Sequence, residues 1–186
     1  MKPDGEQGIR HDTASDVSGA AEFVARPKVL AARTLRGLTG LPATPLGWGT
    51  RSLAELGTSA FAAQMLAAAA GDPFDQSTPA SAEDDLKELI EAAGASHDPG
   101  EWVFVDDPSG RVGVVLPHAD PDGRGTLFYL GVVPERRGEG LGRALHAYGL
   151  RALRRRGATR YEGSTDERNA PMLAIFCHNE CRITSL

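Results

Sequence analysis

Three glycines at alternate positions, Gly138, Gly140 and Gly142, stand between an apolar run ending at Val133 and a helix-period pattern of Leu141, Leu145, Tyr148 and Leu153. This spacing predicts strand, turn, helix. Glycines there let the backbone turn tightly and let an anion approach without Cβ atoms in the way. The free N–H groups of the new helix, aided by the positive end of its dipole, point at that anion. A pyrophosphate suits such a loop. Two common phosphate loops are excluded by position: G-x-G-x-x-G counted from Gly138 meets Arg143 at its sixth place, and G-x-x-x-x-G-K-[ST] finds no lysine.

What remains, Arg137-x-x-Gly140-x-Gly142, resembles the R/Q-x-x-G-x-G/A signature of the GNAT superfamily, the acyl-CoA-dependent N-acetyltransferases. The resemblance implies a coenzyme site in which the loop Arg137, Gly138, Glu139, Gly140, Leu141, Gly142 and Arg143 holds the pyrophosphate of acetyl-CoA. It sets Val133 alongside the pantetheine, and gives Asn169, at the start of the last helix, a hydrogen bond to the pantetheine arm. By alignment on Pro134, it makes the backbone N–H of Val132 the donor that polarises the acetyl carbonyl. Phe176 stands in the coenzyme site where the family commonly has a Tyr that protonates the departing thiolate, and phenylalanine has no proton to give. The implied fold is α/β (α+β): a central mixed, mostly antiparallel twisted sheet, splayed between its fourth and fifth strands and flanked by helices.

The elements that must position these residues are legible in order. Residues 1–25 have the composition of a disordered tail, and 26–186 form the expected domain. Pro27 to Leu41 contains a first strand interrupted by glycines, and Ser52-Leu53-Ala54-Glu55 is a capping box that opens a helix running to Gly71. A second helix starts at Ser81, with Leu86, Leu89, Ile90 and Ala93 on one face and Gly94 as terminator. Trp102 to Val105, the turn Asp106 to Gly110 and Val112 to Leu116 form a hairpin, and a second turn leads into Thr126 to Val133. A helix from Gly140 to Gly157, a strand from Thr159 to Gly163 and a last helix behind the cap Asn169 complete the pattern. Only Arg182 to Leu186 remains, enough for one strand where a hairpin is expected, so a final strand is to be missing, truncated or supplied by a partner, with a homodimer as one form of that.

Charge narrows the partners. Residues 1–100 carry 8 basic and 14 acidic groups and residues 101–186 carry 12 and 11, with no basic tail for nucleic acid. The cluster Arg151, Arg154, Arg155 and Arg156 falls where a helix ends and the dipole favours cations. Phe61 to Ala70 is too short and too alanine-rich to span a bilayer, so a cytoplasmic protein without membrane attachment is expected. Cys177 and Cys181 with His178 lack a second ligand pair, so free thiols and no metal are expected.

The implied reaction is transfer of an acetyl group from acetyl-CoA to a primary amine of a small molecule or protein. An alkylamine with a pKa near ~10 is protonated at neutral pH and must lose a proton first. Tyr129, on the strand before the glycine loop, is the leading candidate for a side chain in the acceptor cleft, with Glu101 behind it; His178, two residues beyond Phe176 on a helix, faces elsewhere. Glu83, Asp84, Asp85, Glu88 and Glu91 on the second helix favour a cationic acceptor or form a solvated face. The alternative is a non-catalytic acyl-CoA-binding module of the same fold with a regulatory or scaffold role.

Overall fold

The computed structural model describes residues 27–186, so the expected tail lies outside the described residues. Its strands are β1 (Lys28–Thr34), β2 (Gly49–Ser52), β3 (Val103–Asp107), β4 (Gly110–Ala119), β5 (Arg124–Val132), β6 (Arg160–Asp166) and β7 (Arg182–Ser185). The helices are α1 (Leu53–Leu56), α2 (Thr58–Ala69), α3 (Ala82–Ala93), α4 (Leu141–Arg155) and α5 (Ala170–His178). The capping box forms: Ser52 Oγ accepts from the Glu55 N–H, and the Glu55 carboxylate accepts from the Ser52 N–H at 2.6 Å. The single helix expected from there to Gly71 is instead two, because Gly57, at φ 77, turns the chain between α1 and α2.

The seven strands form one sheet in the order β2-β3-β4-β5-β6-β1-β7. Every neighbouring pair is antiparallel except β5 and β6, which are parallel and joined only at Arg124↔Arg160 and Gly125↔Tyr161. Beyond those pairs the two strands part, and this is the predicted splay. In the chain's own count it lies between the fifth and sixth strands, because β1 precedes the rest.

β1 pairs with β6 from Lys28↔Asp166 to Thr34↔Arg160 on one side and with β7 on the other, so an N-terminal strand of the same chain stands between β6 and β7.

Alternation along the strands sorts side chains onto two faces. On one, α2 and α3 cover Trp102, Phe104, Val114, Leu116 and Val133; on the other, α4 through Leu145 and Leu150 and α5 through Phe176 cover Val115 and Tyr161. The alternation fails at one point. Leu116 pairs with Tyr129 but Pro117 pairs with Leu127, which leaves Phe128 as an extra residue in β5. This bulge turns both Phe128 and Tyr129 toward α2 and α3, while Leu127 and Leu130 stay on the α4 face.

Candidate active site

The glycine loop closes β5 and opens α4. Gly138 and Gly140 have φ of 86° and 77°, and a Cβ at either would meet no atom within 4 Å. The loop is open on the side an anion would approach. Leu141 and Gly142 begin the helix, so their N–H groups have no helical carbonyl behind them. These features fit a pyrophosphate, and they come from backbone. Gly142 has a packing reason as well, since a Cβ there would lie 2.8 Å from Ile175 Cδ1 of α5.

The side chains around the loop are committed to structure. Arg137 donates to the Val132 carbonyl at 3.1 Å and to the Ala68 carbonyl at 2.8 Å, tying the end of β5 to the end of α2. Glu139 is held by Arg136, which also reaches Asp107. Arg143 is exposed, and its carbonyl accepts from Asn179 Nδ2. Val133 has spent its N–H on the Val112 carbonyl and buries its side chain under α2. Since N–H groups alternate along a strand, that of Val132 points the other way, toward β6, where no ladder partner remains.

Between the parted strands lies a cleft of about 350 Å³, lined by Leu127 to Leu130 on β5, Tyr161 and Gly163 to Asp166 on β6, and Asn169, Met172 and Phe176. Asn169 caps α5 by accepting from the Met172 N–H at 3.1 Å. Its amide nitrogen has no partner among the described residues, so capping and holding a ligand are compatible. Phe176 is buried against Tyr161 and His146 as part of the cleft floor. His178 is exposed, as expected, and Glu101 lies 4.0 Å from Arg155, outside the lining of the cavities beside β5. Cys177 and Cys181 are free thiols. No group of residues suited to a metal ion occurs among the described residues, and none of their helices is long and apolar enough to cross a membrane.

A second cavity, of about 410 Å³, lies across β5 between α2 and α3. Met65, Leu66, Leu89 and Phe128 give it apolar walls, and among the described residues its charged groups are Asp75, Asp85 and Glu88. Of the acidic residues on α3, only Asp85 and Glu88 reach it; Glu83, Asp84 and Glu91 are exposed, and Asp84 pairs with Lys87. Phe128, Tyr129 and Asp75 line this cavity and the cleft alike. Asp75 escaped the sequence reading, because it sits in the loop between α2 and α3 with no motif around it. Its carboxylate accepts from the Ser77 N–H at 2.8 Å and from the Tyr129 hydroxyl at 3.1 Å. Burial, then the Asp75 carboxylate, raises the Tyr129 pKa well above the usual phenol range, so the hydroxyl stays protonated at neutral pH. As found, the Tyr129 hydroxyl is a hydrogen-bond donor.

A further cavity, of about 570 Å³, lies at the other end of β6, and Arg33, Arg36, Arg160 and Arg182 are among its lining. Arg33 is bound to Glu180 and Arg160 to Asp122, and the glycine loop does not reach it.

Comparison with known proteins agrees with this architecture. The structure is similar to a GCN5-related N-acetyltransferase from Sphaerobacter thermophilus (TM-score 0.59, 20% identity, 86% of this chain and 49% of that one). It is also similar to a tandem GNAT protein from the clavulanic acid biosynthesis pathway (0.60, 14%, 86% and 51%) and to a GNAT-family acetyltransferase from Colwellia psychrerythraea (0.60, 15%, 87% and 53%). The chain spans about half the length of these three proteins. No curated protein matches it in sequence. The profile of the acetyltransferase (GNAT) family matches residues 63–178, a span running from α2 through the bulged β5 and the glycine loop to the end of α5. The chain belongs to the GNAT acetyltransferase family.

Proposed function

We propose that this domain transfers an acetyl group from acetyl-CoA to a primary amine. The observation that carries the reading is the parting of β5 and β6 directly before the open glycine loop, which leaves the Val132 N–H without a ladder partner on β6, two residues past the Leu130 end of a cleft of about 350 Å³. Acetyl-CoA lies with its pyrophosphate on the loop amides from Gly138 to Gly142, its pantetheine arm along β5 within reach of Asn169, and its thioester carbonyl on Val132. A fixed donor of this kind stabilises the oxyanion that forms as the amine attacks. The amine enters through the cavity between α2 and α3, whose apolar walls and three carboxylates favour a cationic nitrogen on a compact apolar body. A non-catalytic acyl-CoA-binding module is the second reading, and Phe176 in place of a proton donor is what favours it.

Calorimetry with acetyl-CoA on the wild type and on Gly140→Glu tests the coenzyme site. We expect saturable binding that the variant abolishes, because its carboxylate occupies and repels the position of the pyrophosphate. Thiol release on a panel of primary amines then separates enzyme from module. Within that panel, Asp85→Asn and Glu88→Gln should each raise KM for cationic amines about two- to fivefold, as expected for exposed charge pairs, with kcat little altered. An unchanged KM in both variants would remove the carboxylates from acceptor recognition.

A further inference from the structure

The geometry points to Asp75 and Tyr129 as a proton relay that joins the amine cavity to the thioester cleft and replaces the donor missing at Phe176. The inference rests on the acetyl-transfer reading above. Asp75 and Tyr129 are hydrogen-bonded to each other, and both line both cavities. The Tyr129 ring lies over Gly131, so that a Cβ added there would sit 3.2 Å from the hydroxyl oxygen. This brings the hydroxyl to within one residue of Val132, where the acetyl carbonyl is held. The bulge at Phe128 is what turns Tyr129 to this face. Asp72 and Arg137 are the other charges that act on the hydroxyl.

The steps balance. Asp75 takes one proton from the incoming ammonium and frees the nitrogen lone pair. A C–N bond forms at the thioester carbon, the C–S bond breaks as the oxyanion collapses, and the thiolate takes the Tyr129 proton. Tyr129 is refilled by the proton on Asp75, and one of the two protons on the newly bonded nitrogen leaves through the vacated carboxylate to solvent, so that the amide keeps the other. In sum, an ammonium and acetyl-CoA give an amide, free coenzyme A and one proton.

The test uses Asp75→Asn, Asp75→Glu and Tyr129→Phe, each checked for fold by thermal melting and for acetyl-CoA binding by calorimetry. Thiol release is measured with benzylamine, an ammonium at pH 7, and with aniline, neutral at that pH. A relay predicts that Asp75→Asn lowers kcat on benzylamine about 100-fold, the scale of general acid–base catalysis, and lowers it far less on aniline. Asp75→Glu recovers part of the loss, and Tyr129→Phe slows both amines alike because the thiolate departs in either case. Equal losses on both amines in Asp75→Asn would reduce the pair to a strut between the α2–α3 loop and the sheet. Intact kcat in both variants, or a wild type that binds acetyl-CoA and acetylates neither amine, would overturn the relay while leaving the coenzyme site standing. A folded wild type that does not bind acetyl-CoA sinks the underlying reading itself.

Discussion

Gly113→Ala is expected to destabilise the domain by about 3 kcal/mol, the upper range for overpacking, and to weaken acetyl-CoA binding with it. Gly113 lies in β4 opposite Val132. A Cβ built on it would stand 2.1 Å from the Gly131 carbonyl oxygen and 3.0 Å from Val132 Cα. Both are backbone atoms, so no side-chain rotation relieves the contact. β5 has to move away from β4 at its last two residues, which strains the neighbouring bond from the Val133 N–H to the Val112 carbonyl and redirects the Val132 N–H. Gly149→Ala is the useful control, because its Cβ would approach Leu127 at 2.8 Å and Val115 at 3.0 Å, side-chain atoms that can give way, on the α4 face. Urea unfolding and calorimetry on the two variants separate a general packing loss from damage to the site. If Gly113→Ala kept its stability to within about 1 kcal/mol, the close approach of β4 and β5 would be dispensable.

The parts of this site that sequence made legible are those built from neighbours in the chain. The glycine loop, the cap Asn169 and the hairpin from Trp102 to Leu116 each carry their signal within one short run of chain. What could not be read depends on pairing across long stretches of chain. β1 finds β6 through Lys28↔Asp166, and nothing local in Lys28 to Thr34 says that it belongs beside the last strand and not at an edge. Asp75 meets Tyr129 across 54 residues, in a loop whose composition announces only a turn. The bulge at Phe128 was hidden because an extra residue in a run of apolar and aromatic side chains leaves no gap in the hydrophobic pattern. Arg137 shows the converse: the motif named it for the coenzyme, while its guanidinium is taken up by the carbonyls of Val132 and Ala68.

Acidification from pH 6.5 to pH 4 should cost the folded state about 3 kcal/mol through one residue, His146. Its ring is fully buried in α4 against Tyr161 and Phe176, and burial lowers its pKa from 6.5 to about 4, with the Arg33 charge adding a little in the same direction. Nδ1 accepts from Asn179 Nδ2 at 2.9 Å, so the ring's single proton sits on Nε2, which has no partner among the described residues, and a second proton on Nδ1 would face that donor. Below pH 6.5 the unfolded chain takes up a proton that the folded chain refuses. Stability therefore rises with pH across this window, is complete above it, and loses nothing further from this group below about pH 4. His97, whose pKa burial also lowers, acts in the same sense from a less buried position. The carboxylates held low by partners, Asp107 and Asp120 among them, lose their contribution only as the pH falls below the ordinary carboxylate range, so the two effects separate on the pH axis. Urea unfolding at pH 7.5, 6.0, 5.0 and 4.5 should give a falling midpoint in the wild type and a much flatter one in His146→Leu, whatever that variant's stability at pH 7.5. Parallel slopes in the two proteins would show that His146 is protonated while folded, and that the α4–α5 interface beneath Phe176 is open to solvent.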